Sequence, residues 1–239
     1  MNRFEISQTV GDIVTREPGL SRVFESLGID YCCGGKMALG DACQRRSLDP
    51  QVVLSKLEDE SNRSAAMPPP FDPAAMSLTT LADHIERTHH VFVKTEIPRL
   101  REMAAKVASV HGDRDARLAT VRDTFDGLAA EMTSHMMKEE RILFPLIRQL
   151  EGGAGGDGSC GHSISAPIRQ MESEHEQAGE ALSALNGLTG GYTPPEWACN
   201  TYRAFLDGLQ HFERDLHEHI HKENNVLFPR ALSREALRN

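Results

Sequence analysis

A histidine followed four residues later by a glutamate occurs twice in this 239-residue chain, each time inside the same longer motif. Residues 135–145 read H-M-M-K-E-E-R-I-L-F-P, and residues 219–229 read H-I-H-K-E-N-N-V-L-F-P. Side chains four residues apart lie on one face of an α-helix, so each motif presents an imidazole beside a carboxylate. The duplication indicates a tandem repeat of a helical hairpin.

The repeat also predicts where single histidines complete the set. His175 precedes His219 by 44 residues, and His90 precedes His135 by 45. His89 lies one residue further away and His84 six further, so His90 is the best counterpart. The repeat therefore predicts six metal ligands: His90, His135, Glu139, His175, His219 and Glu223.

These six residues fall within apolar stripes, where an ionised glutamate needs a partner or a metal. A lone inward histidine is more often a hydrogen-bonded core residue, and a lone His-x-x-x-Glu pair is commonly solvated. Four imidazoles and two carboxylates in a duplicated arrangement instead favour a dinuclear site. Such ligands suit iron or manganese, and two bridging glutamates would leave room for an oxo bridge and a small exogenous ligand.

Several nearby residues have roles that the sequence leaves open. Glu131 and Asp215 precede His135 and His219 by four residues, and Glu174 adjoins His175, so each either orients an imidazole or is a solvated acid. His111 lies 21 residues after His90. That is about 31 Å along a continuous helix, so His111 joins the cluster only if the helix breaks. We expect surface or packing roles for the others: His84, His89, His162, His211, His217 and His221.

Four long amphipathic patterns position these ligands. The first spans about residues 78–111 and contains Pro98, which should kink it; the other three space apolar residues at intervals of three and four. A glycine-rich loop at 152–161, with Cys160, lacks the context of a phosphate-binding loop. Four helices with short connections predict an all-α, up-down-up-down four-helix bundle at 78–232.

A smaller helical domain is predicted at 1–60, joined to the bundle by a proline-rich linker at 61–77. Short helices are expected near 10–15, 20–27 and 51–60. Its adjacent cysteines, Cys32 and Cys33, precede two glycines that would let the backbone turn and expose both sulfurs. They are either plain reduced thiols or a working pair. Cys43 and Cys199 are expected to be packing residues.

Composition excludes several classes of protein. The chain carries 26 Lys+Arg against 35 Asp+Glu, a net charge of -9, which argues against broad binding to nucleic acid or anionic membranes. The N-terminus has no apolar signal core and no apolar run approaches bilayer length, so we expect a soluble, cytoplasmic protein. Five cysteines in a chain this long do not indicate a disulfide framework.

Joined motifs along nearly the whole chain resemble one known family. The motifs are D-Y-C-C-G-G at residues 30–35, then S-H-M-M-K-E-E, M-E-S-E-H, T-P-P-E-W-A-C-N-T and E-N-N-V-L-F-P-R. They resemble the RIC (repair of iron centres) family of iron–sulfur cluster repair di-iron proteins, of the YtfE, ScdA, DnrN and NorA type. The resemblance implies a hemerythrin-like bundle holding two iron ions on the same six ligands, with an oxo bridge. It points to Cys32 and Cys33 for redox chemistry, iron handover or self-association.

The resemblance implies a cytoplasmic stress protein that repairs iron–sulfur clusters damaged by nitrosative or oxidative stress. Its expected partners are damaged iron–sulfur proteins, nitric oxide or another diatomic ligand, and a second copy of the chain in a homodimer. A nitric oxide-sequestering protein and a nitric oxide reductase-like enzyme stay open as alternatives, and a non-enzymatic iron donor is favoured over the enzyme. Oxygen carriage is least favoured, because only four of the six ligands are histidines.

Overall fold

The computed structural model describes residues 3–64, 72–152 and 163–238. In these ranges the regular structure is helical, apart from one isolated antiparallel bridge between Thr9 and Ala38. The predicted all-α fold is thus confirmed. Part of the proline-rich linker, most of the glycine-rich loop with Cys160, and His162 lie outside the described residues. No helix in the described ranges has the length and apolar character needed to cross a bilayer.

The chain divides into two compact units, residues 1–81 with 217–239, and residues 82–216. In the described ranges, the first unit includes short helices from the N-terminal part of the chain and the last helix of the chain. They are α1 (Val10–Arg16), α2 (Ser21–Ser26), α3 (Leu39–Arg45), α4 (Pro50–Ser64) and, at the end, Phe228–Ala236. Phe24, Leu39, Leu57 and Phe228 are among its fully buried side chains. The domain boundaries expected from the sequence stay a prediction.

Local sequence explains the short helices. The hydroxyl of Thr9 accepts the Asp12 N–H at 3.1 Å and caps α1. Pro50 begins α4, where its missing N–H costs no helical hydrogen bond. Helix α3 was not expected from the sequence, because Gly40 near its start weakens the helical signal.

The second unit is built from long helices and forms the predicted helical bundle. After α5 (Leu78–Ile85), its main helices are α6 (Val91–His111), α7 (Arg117–Lys138) and α9 (Ser165–Leu188), with α8 (Phe144–Gly152) between the last two. Helix α10 (Asn200–Lys222) contributes its residues up to Leu216. Apolar side chains fill the space between helices; the Phe125 and Phe212 rings, for example, meet edge-to-face with centroids 5.5 Å apart.

Among the residues that the structure describes, a wide π-helical turn occurs at three places. The turns are Glu86–His90 after α5, Glu139–Leu143 after α7 and Glu223–Leu227 after α10, the last of which leads into α11 (Phe228–Ala236). In the second and third of these turns, the N–H of the phenylalanine that follows donates a hydrogen bond to the carbonyl of the glutamate five residues earlier. A proline follows each phenylalanine. Because proline lacks an N–H and its ring clashes with the carbonyl four residues earlier, the L-F-P sequence favours this wide turn. Each π turn contains one predicted ligand: His90, Glu139 and Glu223.

Candidate metal centre

Four of the six predicted ligands meet inside the second unit. The Nε2 atom of His135 lies 3.0 Å from Nε2 of His175 and 3.3 Å from Oε2 of Glu139. The same glutamate oxygen lies 3.3 Å from Nε2 of His90. None of the four residues is more than 1% exposed. Glu139 therefore presents one carboxylate oxygen to two imidazoles in a fully buried cluster.

The other two predicted ligands form a matching pair in the first unit. Nε2 of His219 lies 3.2 Å from Oε1 of Glu223, and both residues are fully buried. The histidine lies in the last turn of an α-helix in both repeats, and the glutamate begins the π turn that follows. The duplicated motif thus has the same local geometry in both units.

The outer nitrogen of His135 is held by a carboxylate. Its Nδ1–H donates to Oε2 of Glu174 at 2.9 Å, and Glu174 also accepts hydrogen bonds from Lys138 and Gln170. The hydrogen bond from His135 lowers the pKa of Glu174 to about 2, assisted by the bonds from Lys138 and Gln170 and opposed by burial. A proton held on Nδ1 leaves the Nε2 lone pair directed at the cluster, which is the tautomer that binds a metal.

The outer nitrogen of His90 is likewise held by a carboxylate, from the π turn that follows α7. Its Nδ1–H donates to Oε1 of Glu140 at 2.8 Å, and Lys94 binds the same oxygen. Partial burial works against ionisation of Glu140, but the hydrogen bonds from Lys94 and His90 outweigh it and lower its pKa. Glu140 was not among the predicted functional residues. The sequence does contain a signal for it, the two adjacent glutamates at 139–140. Neighbouring residues of a helix point in different directions, so the second glutamate contacts other groups than the first.

The donor set of the second unit fits a transition-metal ion. Three imidazole nitrogens and a carboxylate oxygen are the ligand types that iron and manganese accept in helical bundles. Two donor atoms bound to one cation at about 2.1 Å and at right angles lie about 3.0 Å apart. The separation of 3.0 Å between the Nε2 atoms of His135 and His175 matches that geometry. A cation would also offset the charge of the buried Glu139 carboxylate.

The three acids whose roles the sequence left open have different surroundings in the structure. Glu174 orients His135, as described above. Glu131 is exposed, so it belongs to the solvated helix face. Asp215 accepts a hydrogen bond at 2.9 Å from Nδ1 of His89, a buried histidine outside the predicted ligand set. The matching repeat positions of Glu131 and Asp215 therefore do not have matching roles.

His111 lies at the end of α6, which is a continuous helix through Pro98, so it does not join His90. Its Nε2 atom lies 3.2 Å from Sγ of Cys199, and its ring packs beside Trp197 and Tyr202. Cys199 is exposed, so the expectation of a packing role is wrong for this residue. The hydrogen bond from His111 lowers the pKa of the Cys199 thiol, and the backbone N–H groups of the first turn of α10 act in the same direction.

The adjacent thiols are reduced and differ in accessibility. Cys32 is buried, whereas Cys33 is half-buried, so the turn does not expose both sulfurs equally. The hydrogen bond to Cys33 and burial raise the pKa of Cys32 well above its usual range. Cys33 is thus the thiol that solutes can reach, and Cys32 is a buried neutral thiol. Cys43 is buried, as expected for a packing residue.

Comparison with known proteins gives consistent matches along the chain. Residues 81–231 match the hemerythrin HHE cation binding domain family, and residues 6–61 match the ScdA_N domain of unknown function. The iron–sulfur cluster repair protein YtfE of Escherichia coli O17:K52:H18 (strain UMN026 / ExPEC) is 39% identical over 228 residues. YtfE of Escherichia fergusonii has the same identity over the same length. In both comparisons the match covers 95% of this chain and 98% of the relative.

Proposed function

The chain belongs to the RIC family of YtfE-type iron–sulfur cluster repair proteins, and from this premise we propose that it repairs clusters damaged by nitrosative or oxidative stress. The proposed cofactor is a pair of non-haem iron ions, with an oxo bridge, on the six predicted ligands. The observation that carries the proposal is the buried cluster of His90, His135, Glu139 and His175. In this cluster, two imidazole nitrogens lie beside one oxygen of Glu139, and Nε2 of His175 lies beside Nε2 of His135.

The protein's own residues would do three things at this centre. The imidazoles and carboxylates hold the metal, and the duplicated pair of His219 and Glu223 supplies the remaining two ligands. Glu140 and Glu174 keep the protons of His90 and His135 on Nδ1. Full burial excludes bulk water from the ligands, so charge interactions there are stronger than at the surface. When bound to these residues, a pair of iron ions would supply exchangeable iron and a binding place for a small ligand such as nitric oxide.

Cys32 and Cys33 are proposed to assist transfer or reduction, with Cys33 as the thiol that meets a solute or partner. The proposed partners are damaged iron–sulfur proteins, nitric oxide and, in a homodimer, a second copy of this chain. The proposed location is the cytoplasm, where thiols stay reduced. A non-enzymatic iron donor is favoured over an enzyme that reduces nitric oxide.

Metal analysis with Mössbauer spectroscopy tests the centre directly. The purified native protein should hold about two coupled irons per chain, in line with paired bridging carboxylates. Glu139→Leu removes the carboxylate shared by two imidazoles and should lose most of that iron. Glu131→Leu is the matched control, because it makes the same change at an exposed glutamate of the same helix, four residues before His135. A native protein without coupled iron, or an iron content unchanged by Glu139→Leu, contradicts the proposal.

A repair assay tests the activity. Iron-loaded protein is incubated with an iron–sulfur enzyme that nitric oxide has inactivated, and the recovered activity is compared with that given by the same amount of free ferrous iron. Recovery greater than the free-iron control is expected from the native protein, and not from Glu139→Leu. Equal recovery from protein and free iron excludes a specific repair function.

The alternative is a protein that binds nitric oxide and lowers its concentration without transferring iron. The half-buried Cys33 favours the repair proposal, because sequestration at the bundle needs no accessible thiol. The double variant Cys32→Ser, Cys33→Ser distinguishes the two. Under the repair proposal it binds nitric oxide normally and loses recovery of the damaged enzyme. A variant that retains full protection of cells against nitric oxide supports sequestration instead.

A further inference from the structure

We propose that Asp30, Cys32 and Cys33 form a second metal site, for a thiophilic divalent cation of the Zn²⁺ type. This site lies in the turn at residues 30–35 of the first unit and shares no residue with the proposed di-iron centre. It goes beyond the proposed function, in which the two thiols only assist transfer, and it does not depend on iron being present in the bundle.

The spacing of the donor atoms is the first support for this site. One ligand atom from each of Asp30, Cys32 and Cys33 lies within 4.8 Å of the other two. The two sulfurs are 3.9 Å apart, and Sγ of Cys32 is 3.2 Å from Oδ1 of Asp30. Two thiolates on one tetrahedral cation with bonds of about 2.3 Å lie about 3.8 Å apart. A disulfide would need the sulfurs at about 2.05 Å. The observed distance, at which the Cys32 thiol donates a hydrogen bond to Cys33, is also the distance that a chelating pair requires.

The carboxylate of Asp30 organises the backbone of the turn. Its Oδ1 atom accepts the N–H groups of Cys32 at 2.9 Å and Cys33 at 3.0 Å. Its Oδ2 atom accepts the N–H of Gly34 at 2.9 Å. These bonds place both cysteines on the same turn before any cation arrives, so little conformational entropy is lost on binding.

Asn225 fixes the same turn from outside. Its Nδ2 atom donates to the carbonyl oxygen of Cys32 at 3.0 Å and to that of Tyr31 at 3.3 Å. On the other side, the Gly11 N–H donates to the Gly35 carbonyl at 2.9 Å. The turn is thus anchored at both ends within the first unit. Cys33 stays half-buried, which leaves a route by which a cation can enter.

Cation binding at this site changes both the protonation and the charge of the three ligands. Binding replaces two thiol protons: M²⁺ and two thiols give a metal dithiolate and two released protons. The two thiolates and the carboxylate carry three negative charges against two on the cation. Because each bound cation displaces two protons, cation binding should strengthen as pH rises. Asp30, 3.2 Å from the Cys32 sulfur, adds attraction for the cation.

A cobalt titration of the full-length, iron-loaded protein tests the site. Thiolate-bound Co²⁺ gives a charge-transfer band in the near ultraviolet, and the six proposed bundle ligands contain no sulfur. One equivalent of Co²⁺ per chain should develop the band, with release of about two protons. Cys32→Ser and Cys33→Ser should each abolish most of it. Asp30→Asn keeps an oxygen that can accept the backbone N–H groups, yet removes the charge, and should weaken binding about tenfold or more.

The control variants are Cys43→Ser and Cys199→Ser, which should leave the band unchanged because these thiols lie outside the turn. Circular dichroism and the melting temperature establish that Cys33→Ser, at a half-buried position, is folded. No saturable band at one equivalent, or a band that survives in the Cys32→Ser, Cys33→Ser double variant, overturns the proposal. The Glu139→Leu variant should keep the band even though it loses iron, so failure of either proposal is recognised separately.

Discussion

Gly35→Ala should destabilise the protein because Asn225 already occupies the space of the added methyl group. A Cβ atom at Gly35 would lie 2.2 Å from Oδ1 and 2.7 Å from Nδ2 of Asn225. Gly35 is not among the glycines with positive φ, so alanine is compatible with its backbone conformation. The cost of the substitution is therefore steric, and the Asn225 side chain must move to relieve it.

The magnitude follows from the hydrogen bonds that this movement breaks. Asn225 donates to the carbonyl oxygens of Cys32 and Tyr31, and its Nδ2 atom lies 3.2 Å from Nδ1 of His221. Each lost bond costs about 0.5–1.5 kcal/mol, so we expect a loss of about 2–3 kcal/mol in the free energy of unfolding. For a chain of this size, that corresponds to a fall of roughly 5–10 °C in melting temperature.

A double-mutant cycle measured by urea unfolding and by thermal melts is the assay. Asn225→Ala alone removes the hydrogen bonds and should cost about 1–3 kcal/mol. Adding Gly35→Ala to it should cost little more, because the obstructing side chain is gone; the expected coupling energy is about 2 kcal/mol. Gly40→Ala in α3 is the matched control. Its Cβ would meet Ile6 only at 3.5 Å or more, so a gain of about 0.5–1 kcal/mol is expected from helix propensity.

Two results would refute the reasoning. One is a Gly35→Ala protein within about 0.5 kcal/mol of the native stability, which would mean that Asn225 moves without losing its bonds. The other is strict additivity of the two substitutions, which would show that alanine at Gly35 meets some obstacle other than Asn225.

Three further substitutions have defined outcomes. Glu174→Gln replaces the carboxylate that holds the proton of His135 on Nδ1. Iron affinity measured by chelator competition should fall about 10–100-fold. An unchanged affinity would exclude an orienting role for Glu174. Gly127→Ala adds a methyl group to an exposed position inside α7, where nothing beyond the chain neighbours and the helix's own backbone lies within 4 Å. The free energy of unfolding should rise by about 1 kcal/mol, and a destabilised protein would contradict this. His111→Ala should raise the pKa of the Cys199 thiol, because it removes the hydrogen bond that lowers it. Alkylation of Cys199 by iodoacetamide near neutral pH should then slow about threefold for each unit by which the pKa rises. Alkylation at the native rate would show that His111 does not activate the thiol.

Much of the fold could be predicted because its signals are local. The intervals of three and four in the apolar residues of α7 specify which face is buried, and Phe125 and Met132 lie on that face. The π turns also had a local signal, the L-F-P sequence, although the expected helix patterns did not include them. Pro98 shows the reverse case, because tertiary packing keeps α6 helical through a residue that by itself disfavours a helix.

The candidate site shows the same difference between contacts within one helix and contacts between helices. The pairing of His135 with Glu139, and of His219 with Glu223, was readable because one helical turn brings such residues together wherever the helix lies. The partners of the outer imidazole nitrogens were not readable in the same way. Glu140 reaches His90 across 50 positions of sequence and Glu174 reaches His135 across 39, so only helix packing decides those contacts.

The sequence by itself determined the helical class, the family and the six residues proposed to hold metal, because helix periodicity and short motifs act over a few residues. The tertiary structure decided which acid serves which histidine, why His111 contacts Cys199, and how Asn225 fixes the turn that carries Cys32. The physical reason is that such contacts join residues far apart in the chain. Their partners are chosen by which helix faces pack together, and no local pattern records that choice.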